Sequence, residues 1–135
     1  MIYALDTNTV IAILGNNKNV EQKGDTAINA GDKLIIPPTV DYEIQRGLLY
    51  KPSPRKEKIY FSLRQHYGVG ITTPDMWVKS AHIYTDLRKK GLTVGDNDIY
   101  IAAFCLSNGY TLVSRNTKDF ENIDGLLQVN WIDEQ

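Results

Sequence analysis

The stretch "IYALDTN", residues 2–8, joins an apolar, strand-forming run to three polar residues that are common at helix starts. Its apolar part predicts a first β-strand over residues 2–5, which ends where Asp6 begins. We expect Thr7 or Asn8 to cap the helix that follows. The carboxylate of Asp6 then remains at the end of the strand, where the surrounding elements decide whether it has a further role.

Strand and helix patterns alternate along the remaining sequence. Further strands are predicted at 33–36, 69–72, 111–114 and 126–131. Helices are predicted at 8–14, 19–30, 38–50, 55–67, 74–90, 97–108 and 117–121. Such alternation predicts an α/β fold with a mostly parallel sheet and helices on both faces. No repeat or linker divides the 135 residues, so we expect a single domain over 1–135.

The carboxyl ends of the strands are the place to look for a site, because ligands of open α/β sheets bind in the crevice outside these ends. Asp6 follows the first strand. Ser114, Arg115 and Asn116 fall at the end of the strand "TLVS". The two segments are therefore expected at one edge of the sheet.

Glu43 occupies an unusual place for an acid. Together with Val40, Ile44 and Leu48 it forms a stripe at helical spacing, the kind of stripe that normally faces a core. An ionised carboxylate on a buried face is costly unless it is paired or bound to a metal. A salt bridge with Arg46 or another arginine is the ordinary alternative.

The helix after "GDND" repeats this pattern. Asp98 shares a face with Ile101, Ala102 and Cys105. Asp96 cannot share that face, since two positions are about 200° apart on a helix, and we expect it to be a cap or a residue before the helix. The ordinary alternative for Asp98 is an acid favoured by the positive end of the helix dipole.

The acids Asp6, Glu43 and Asp98 together indicate an oxygen-ligand metal site. Clustered carboxylates repel one another, and hard cations such as Mg²⁺ or Mn²⁺ offset that repulsion. No transition-metal pattern competes, because His66 and His82 have no matching cysteine and Cys105 is expected in the core.

The bulk composition indicates a cytoplasmic protein without a membrane span. No apolar run approaches the roughly 20 residues that cross a bilayer, and the N-terminus lacks a secretory signal pattern. The net charge is −1, so the overall charge gives no indication of nucleic-acid binding. Basic residues nevertheless concentrate at 51–58 and 88–90.

Five motifs in order resemble those of the PIN-domain nucleases, most closely the VapC-type toxins of bacterial toxin–antitoxin pairs. They are "LDTN", "PPTVDYEIQRG", "GDNDIYIAA", "TLVSRNTKDF" and "LLQVNW". The resemblance spans residues 2–131. It implies a three-layer α/β/α sandwich and an endoribonuclease that depends on Mg²⁺ or Mn²⁺.

The resemblance also implies the roles of particular residues. The three family acids correspond to Asp6, Glu43 and Asp98, and the fourth position, acidic in many PIN domains, corresponds to Asn116. Asn116 is a weaker metal ligand than an aspartate, and Asp96 and Asp119 are candidate ligands that would partly compensate for it. The residues expected to position water or phosphate are Thr7, Ser114 and Asn116. Candidate RNA contacts are Arg115, Lys118 and Arg88.

The partners implied by the resemblance are an RNA substrate, a small antitoxin protein and a second copy of the chain in a homodimer. Three alternatives remain open: an inactive PIN-like module that binds RNA or protein, a receiver-like signalling domain, and a DNA-directed nuclease of the same superfamily. A receiver would need an acid next to Asp6 and a lysine after its last strand, and this sequence has neither.

Overall fold

The computed structural model describes residues 1–133. Its strands are β1 (Ile2–Leu5), β2 (Lys33–Ile35), β3 (Thr111–Val113) and β4 (Gln128–Val129). Its helices are α1 (Thr7–Leu14), α2 (Lys18–Asn29), α3 (Pro38–Tyr50), α4 (Pro54–Tyr67), α5 (Pro74–Lys89), α6 (Asp96–Asn108) and α7 (Thr117–Phe120). The alternation of strands and helices predicted from the sequence is confirmed.

The four strands form one sheet in the order β2-β1-β3-β4, and every pair is parallel. The α/β class and the mostly parallel sheet are therefore confirmed. β1 lies inside the sheet, with Tyr3 opposite both Leu34 and Thr111. Since all strands run the same way, the carboxyl ends of β1 and β3 meet at one edge, and the backbone N–H of Asp6 bonds the carbonyl of Val113 at 2.9 Å.

The strand predicted at 69–72 is wrong. Only Val69 pairs, in an isolated parallel bridge with Ile36. The backbone of Gly70 then runs so close to the ring of Phe104 that a Cβ at this position would lie 2.2 Å from the ring. Ile71 beyond it is exposed, so the chain leaves the sheet after one residue.

The last strand is shorter than the predicted 126–131. Only Gln128 and Val129 pair, because the partner strand β3 is itself three residues long. Trp131 turns back and packs against Tyr3, with ring centroids 4.9 Å apart.

The helix caps near the site differ from the sequence-based expectations. Asp6, rather than Thr7 or Asn8, is the N-cap of α1, and its side chain accepts a bond from the backbone N–H of Thr7. Gly95 precedes α6, so Asp96 is the first helical residue and not a cap. At the far end of α6, Gly109 adopts φ +72°, a left-handed conformation that glycine takes without steric cost.

Helix α3 is held against α4 by the carboxylate of Asp41. It accepts bonds from the hydroxyl of Tyr60 at 2.6 Å and from Nε of Arg64 at 2.8 Å. Gln45 adds a third donor at 2.8 Å. Because Tyr60 is fully buried, this cluster fixes the helix that carries Glu43. In residues 1–133, no helix combines the length and the apolar character needed to cross a membrane.

Candidate active site

Asp6 is a buried carboxylate held in a fixed orientation at the end of β1. Oδ1 accepts the backbone N–H of Thr7 at 2.8 Å. Oδ2 accepts the hydroxyl of Ser114 at 2.6 Å and the amide of Asn8 at 3.3 Å. Only 4% of Asp6 is exposed. Burial and these hydrogen bonds fix its carboxylate at the end of β1.

Glu43 turns toward α1 and α6, as its place in the apolar stripe predicts. Its Oε1 accepts the hydroxyl of Thr7 at 2.9 Å and also the side-chain amide of Asn97. The salt bridge with Arg46 does not form, since the guanidinium of Arg46 lies over the ring of Tyr42 at 5.1 Å instead. Glu43 is therefore held by neutral donors that leave its charge uncompensated.

Asp98 lies in the first turn of α6 and is half-buried. Within residues 1–133 its carboxylate has no hydrogen-bond or ion-pair partner. The pKa of Asp98 is raised to about 6, mainly by burial and then by the charges of Asp6, Asp119 and Glu43, in that order. The helix dipole favours an acid here, as the ordinary alternative proposes, yet burial and the three like charges outweigh it.

The pKa of Asp6 is raised as well. Burial is the main cause, and the bonds from Ser114 and from the backbone of Thr7 oppose it. The charges of Glu43 and Asp119 add to the rise. Four carboxylates from β1, α3, α6 and α7 therefore act on one another across the same edge of the sheet.

The loop after β3 is tied to the start of α1. Ser114 is fully buried, and its hydroxyl also accepts the backbone N–H of Asn116 at 3.0 Å. Asn8 accepts the backbone N–H of Arg115 at 3.1 Å. Asn116 itself is exposed. The structure thus brings Ser114 into contact with Asp6 and leaves the side chain of Asn116 at the open side of the site.

The remaining candidates make no hydrogen bond or ion pair with Asp6, Glu43 or Asp98 within residues 1–133. Asp96 is exposed, and among the described carboxylates it is not one that shifts the pKa of Asp6 or Asp98. Arg115 pairs with Asp133 at 3.4 Å, and Arg88 lies over Tyr84 at the end of α5. Lys118 is exposed on α7, one residue before Asp119.

Sequence reasoning missed two residues of the site, Asn8 and Asn97. It treated Asn8 only as a possible cap and gave Asn97 no role. The available signal was position: Asn8 follows the strand-end acid by two residues, and Asn97 stands directly before the inward-facing Asp98.

The donor set fits a hard divalent cation. The acids that converge here offer carboxylate oxygens, and their mutual repulsion, which adds to burial in raising the pKa of Asp98, is what such an ion relieves. In residues 1–133, no three histidine, cysteine or acidic side chains already lie close enough together to form a metal cluster.

Comparisons with known proteins give a consistent result. The chain matches the model of the PIN domain over residues 3–126. It is 31% identical to Ribonuclease VapC2 of Haemophilus influenzae over 134 residues, which cover 96% of this chain and 98% of that protein. It is 29% identical to Ribonuclease VapC2 of Rickettsia felis over 135 residues, covering 97% and 98%.

Two solved structures share the fold. VapBC2 from Rickettsia felis, bound to a DNA fragment from its promoter, superposes with a TM-score of 0.90 at 24% identity, over 97% of this chain and 99% of that one. VapBC-1 from nontypeable Haemophilus influenzae superposes with a TM-score of 0.86 at 24% identity, over 97% and 98%.

Proposed function

The chain belongs to the PIN-domain family, and from this premise we propose that it is a metal-dependent endoribonuclease and the toxin of a toxin–antitoxin pair. One observation carries the proposal: Asp6, Glu43 and Asp98 come from three separate elements and act on one another at one sheet edge. The relatives named Ribonuclease VapC support RNA as the substrate. The nuclease domain covers residues 1–135, of which the last two lie outside the described residues.

We assign Mg²⁺ or Mn²⁺ to Asp6, Glu43 and Asp98, with Asp119 as a fourth acid and Asp96 as the weakest candidate. When bound, such an ion lowers the pKa of water and polarises a phosphate oxygen for hydrolysis of the phosphodiester. Ser114 and Thr7 keep Asp6 and Glu43 in orientation through the hydrogen bonds described above.

Other residues of this edge are assigned to the substrate. We assign the exposed amide of Asn116 to positioning water or a phosphate oxygen. Arg115, Lys118 and Arg88 are the cations we assign to the RNA backbone near the site. Because the centre is acidic and repels phosphate, cations on either side are needed to hold a polyanion.

Two protein partners are proposed, an antitoxin and a second copy of the chain. The solved relatives are VapBC complexes, which supports a small antitoxin as the protein partner. A homodimer is also proposed, since Phe61 on α4 and Trp77, Val78 and Tyr84 on α5 expose large apolar side chains. An enzyme of this kind acts on cellular RNA, so we place it in the cytoplasm.

The proposal is tested by incubating matched RNA and DNA oligonucleotides with the protein in Mn²⁺ or in EDTA. Cleavage of RNA in Mn²⁺ and its loss in EDTA are expected. Asp98→Asn should lose cleavage, whereas Asp75→Asn, an acid in the first turn of α5, should keep it. Full activity in EDTA contradicts the metal site.

An inactive module that binds RNA or protein is the second candidate, favoured by the uncharged Asn116 at the fourth position. Calorimetry with Mn²⁺ separates the two. The enzyme should bind the ion and cleave, whereas the inactive module should bind RNA without cleaving it under any metal condition.

A further inference from the structure

A groove runs from the site along the contact of α1 with α3 and the start of α4. Its volume is about 350 Å³. Thr7 and Glu43 line it, so the groove is continuous with the candidate active site. Arg46, Lys51 and Lys56 line it as well. We call this depression the α1–α3 groove.

The groove carries an excess of positive charge that nothing in the described chain neutralises. Lys51 and Lys56 are exposed, and within residues 1–133 neither has an acidic partner. Arg46 rests on the ring of Tyr42. Glu43 is the single acid among the described lining residues, so the three cations Arg46, Lys51 and Lys56 outnumber it.

Gly47 keeps the groove open in the middle of α3. Glycine is unfavourable inside a helix, and here no packing contact requires it, since a Cβ at this position would meet nothing within 4 Å. Gly24 in α2 differs, because its Cβ would touch the side chain of Leu34 at 3.7 Å. The space above Gly47 is therefore available to a ligand.

We propose that the α1–α3 groove binds the phosphates of single-stranded RNA next to the bond that is cleaved. This inference rests on the proposed function and adds the path of the substrate. The acid cluster repels a phosphate backbone, while cations beside it attract one. The planar guanidinium of Arg46 also offers a surface on which an unpaired base stacks.

A protein partner is the competing occupant. RNA is favoured because Thr7 and Glu43 belong to the site and to the groove at once, so a strand whose phosphate reaches the acids can continue along the groove beside Lys51 and Lys56. Ile11 exposes apolar surface at the rim, and a base or a peptide side chain covers it equally well. The excess of positive charge in the groove therefore favours RNA, a polyanion, over a protein partner.

The test measures binding in an Asp98→Asn background, so that the RNA is not cut. The probe is a short fluorescein-labelled single-stranded oligoribonucleotide of mixed sequence, followed by fluorescence anisotropy. Lys51→Ala combined with Lys56→Ala should weaken binding about tenfold, and should lower the slope of log affinity against log salt by about 1.4, or roughly 0.7 for each lost phosphate contact.

The matched control combines Lys58→Ala with Lys79→Ala, which removes the same charge from exposed helical positions outside the groove. Lys58 is two residues from Lys56 in α4 and so faces away from it. Affinity and salt slope should stay within about twofold of the parent protein for this control.

A second pair of variants tests the groove without removing a cation. Gly47→Gln fills it with a neutral side chain, and Gly47→Glu fills it with a negative one. Both favour the helix over glycine, so circular dichroism should show intact proteins with equal or higher Tm. RNA affinity should be highest for wild type, lower for Gly47→Gln and lowest for Gly47→Glu.

The outcomes separate this inference from the proposed function. If wild type cleaves RNA but the Lys51/Lys56 variant binds it as tightly as the control, the groove is not the substrate path. If that variant instead loses only its binding to the purified antitoxin, the groove belongs to the protein partner and the proposal is overturned. If wild type cleaves no RNA in Mn²⁺, the proposed function itself fails.

Discussion

Ser114 donates a 2.6 Å hydrogen bond to Oδ2 of Asp6, although the two residues are 108 positions apart in sequence. Both are buried at the edge where β1 and β3 end. The bond opposes the burial that raises the pKa of Asp6. It therefore joins two strands and stabilises one carboxylate of the site in its ionised form.

Ser114→Ala should lower the free energy of unfolding by about 1–3 kcal/mol, because it leaves the Asp6 carboxylate and the Asn116 N–H without this buried partner. Urea unfolding in EDTA measures the loss. Ser107→Ala, an exposed position of α6, should change stability by less than about 0.5 kcal/mol. Equal losses in the two variants contradict the assignment.

Asp98→Asn should have opposite effects on activity and stability. RNA cleavage should fall by roughly 10²-fold or more, since a direct ligand matters at least as much as the residues around it. In EDTA the variant should have a higher Tm than wild type, because the amide removes a carboxylate that burial and like charges disfavour. Differential scanning fluorimetry checks the second effect, and a lower Tm argues against it.

The metal-free protein should become more stable as the pH falls from about 7 to about 5. The folded-state pKa of Asp98, about 6, lies above the ordinary aspartate value of 3.8, so the folded state holds the proton more tightly. The resulting stabilisation is present at low pH and is lost as the pH rises through about 6. After allowance for partial solvent exposure, its size is about 1–2 kcal/mol.

Urea unfolding in EDTA at the two pH values measures this difference. The raised pKa of Asp6 acts in the same direction. Asp98→Asn should reduce the difference, and Mn²⁺ should reduce it as well by stabilising the ionised acids. A wild-type protein that loses stability toward pH 5 would refute the prediction.

Asn97→Ala should weaken Mn²⁺ binding by about 10–100-fold, the range found when a residue that orients a ligand is removed. Asn97 donates to Oε1 of Glu43, and without it Thr7 alone holds that oxygen. Calorimetric titration gives the dissociation constant. Asn29→Ala, at the end of α2, serves as the control and should bind the ion as wild type does.

Asp41→Ala should destabilise the protein by about 2–4 kcal/mol, because the buried Tyr60 hydroxyl and the Arg64 guanidinium lose their shared acceptor. Denaturant unfolding measures the loss. Glu21→Ala removes an exposed acid whose partner is Lys18 and should cost less than about 1 kcal/mol. A loss for Asp41→Ala as small as this control's would show that the cluster does not fix α3.

The main acids of the site were predictable because each signal is local. A strand that stops at Asp6 and helical stripes that contain Glu43 or Asp98 can be counted from neighbouring residues. The hydrogen bonds of Asn97 and Asn8 could not be predicted in this way, since their partners come from distant elements. Only the packing of α6 against α3, and of β3 beside β1, creates those contacts.

The strand at 69–72 was predicted wrongly for the same reason, namely that a distant element determines the local structure. The residues around Val69 are typical of a strand, and one bridge between Val69 and Ile36 does form. The ring that lies against Gly70 belongs to Phe104, which is contributed by α6 and is invisible to a local pattern. The sequence predicted a helix cap at Thr7 or Asn8 and a site carboxylate at Asp6. In the structure the carboxylate of Asp6 has both roles, because it caps α1 and also faces the site.

The parallel sheet determines when, during synthesis, the acids of the candidate site can come together. β1 leaves the ribosome first, but its neighbour β3 and the hydroxyl of Ser114 follow only after more than 100 further residues. At ordinary synthesis rates that interval lasts roughly 5–20 s. A nascent or truncated chain that ends before β3 therefore lacks the hydrogen bond from Ser114 that orients Asp6.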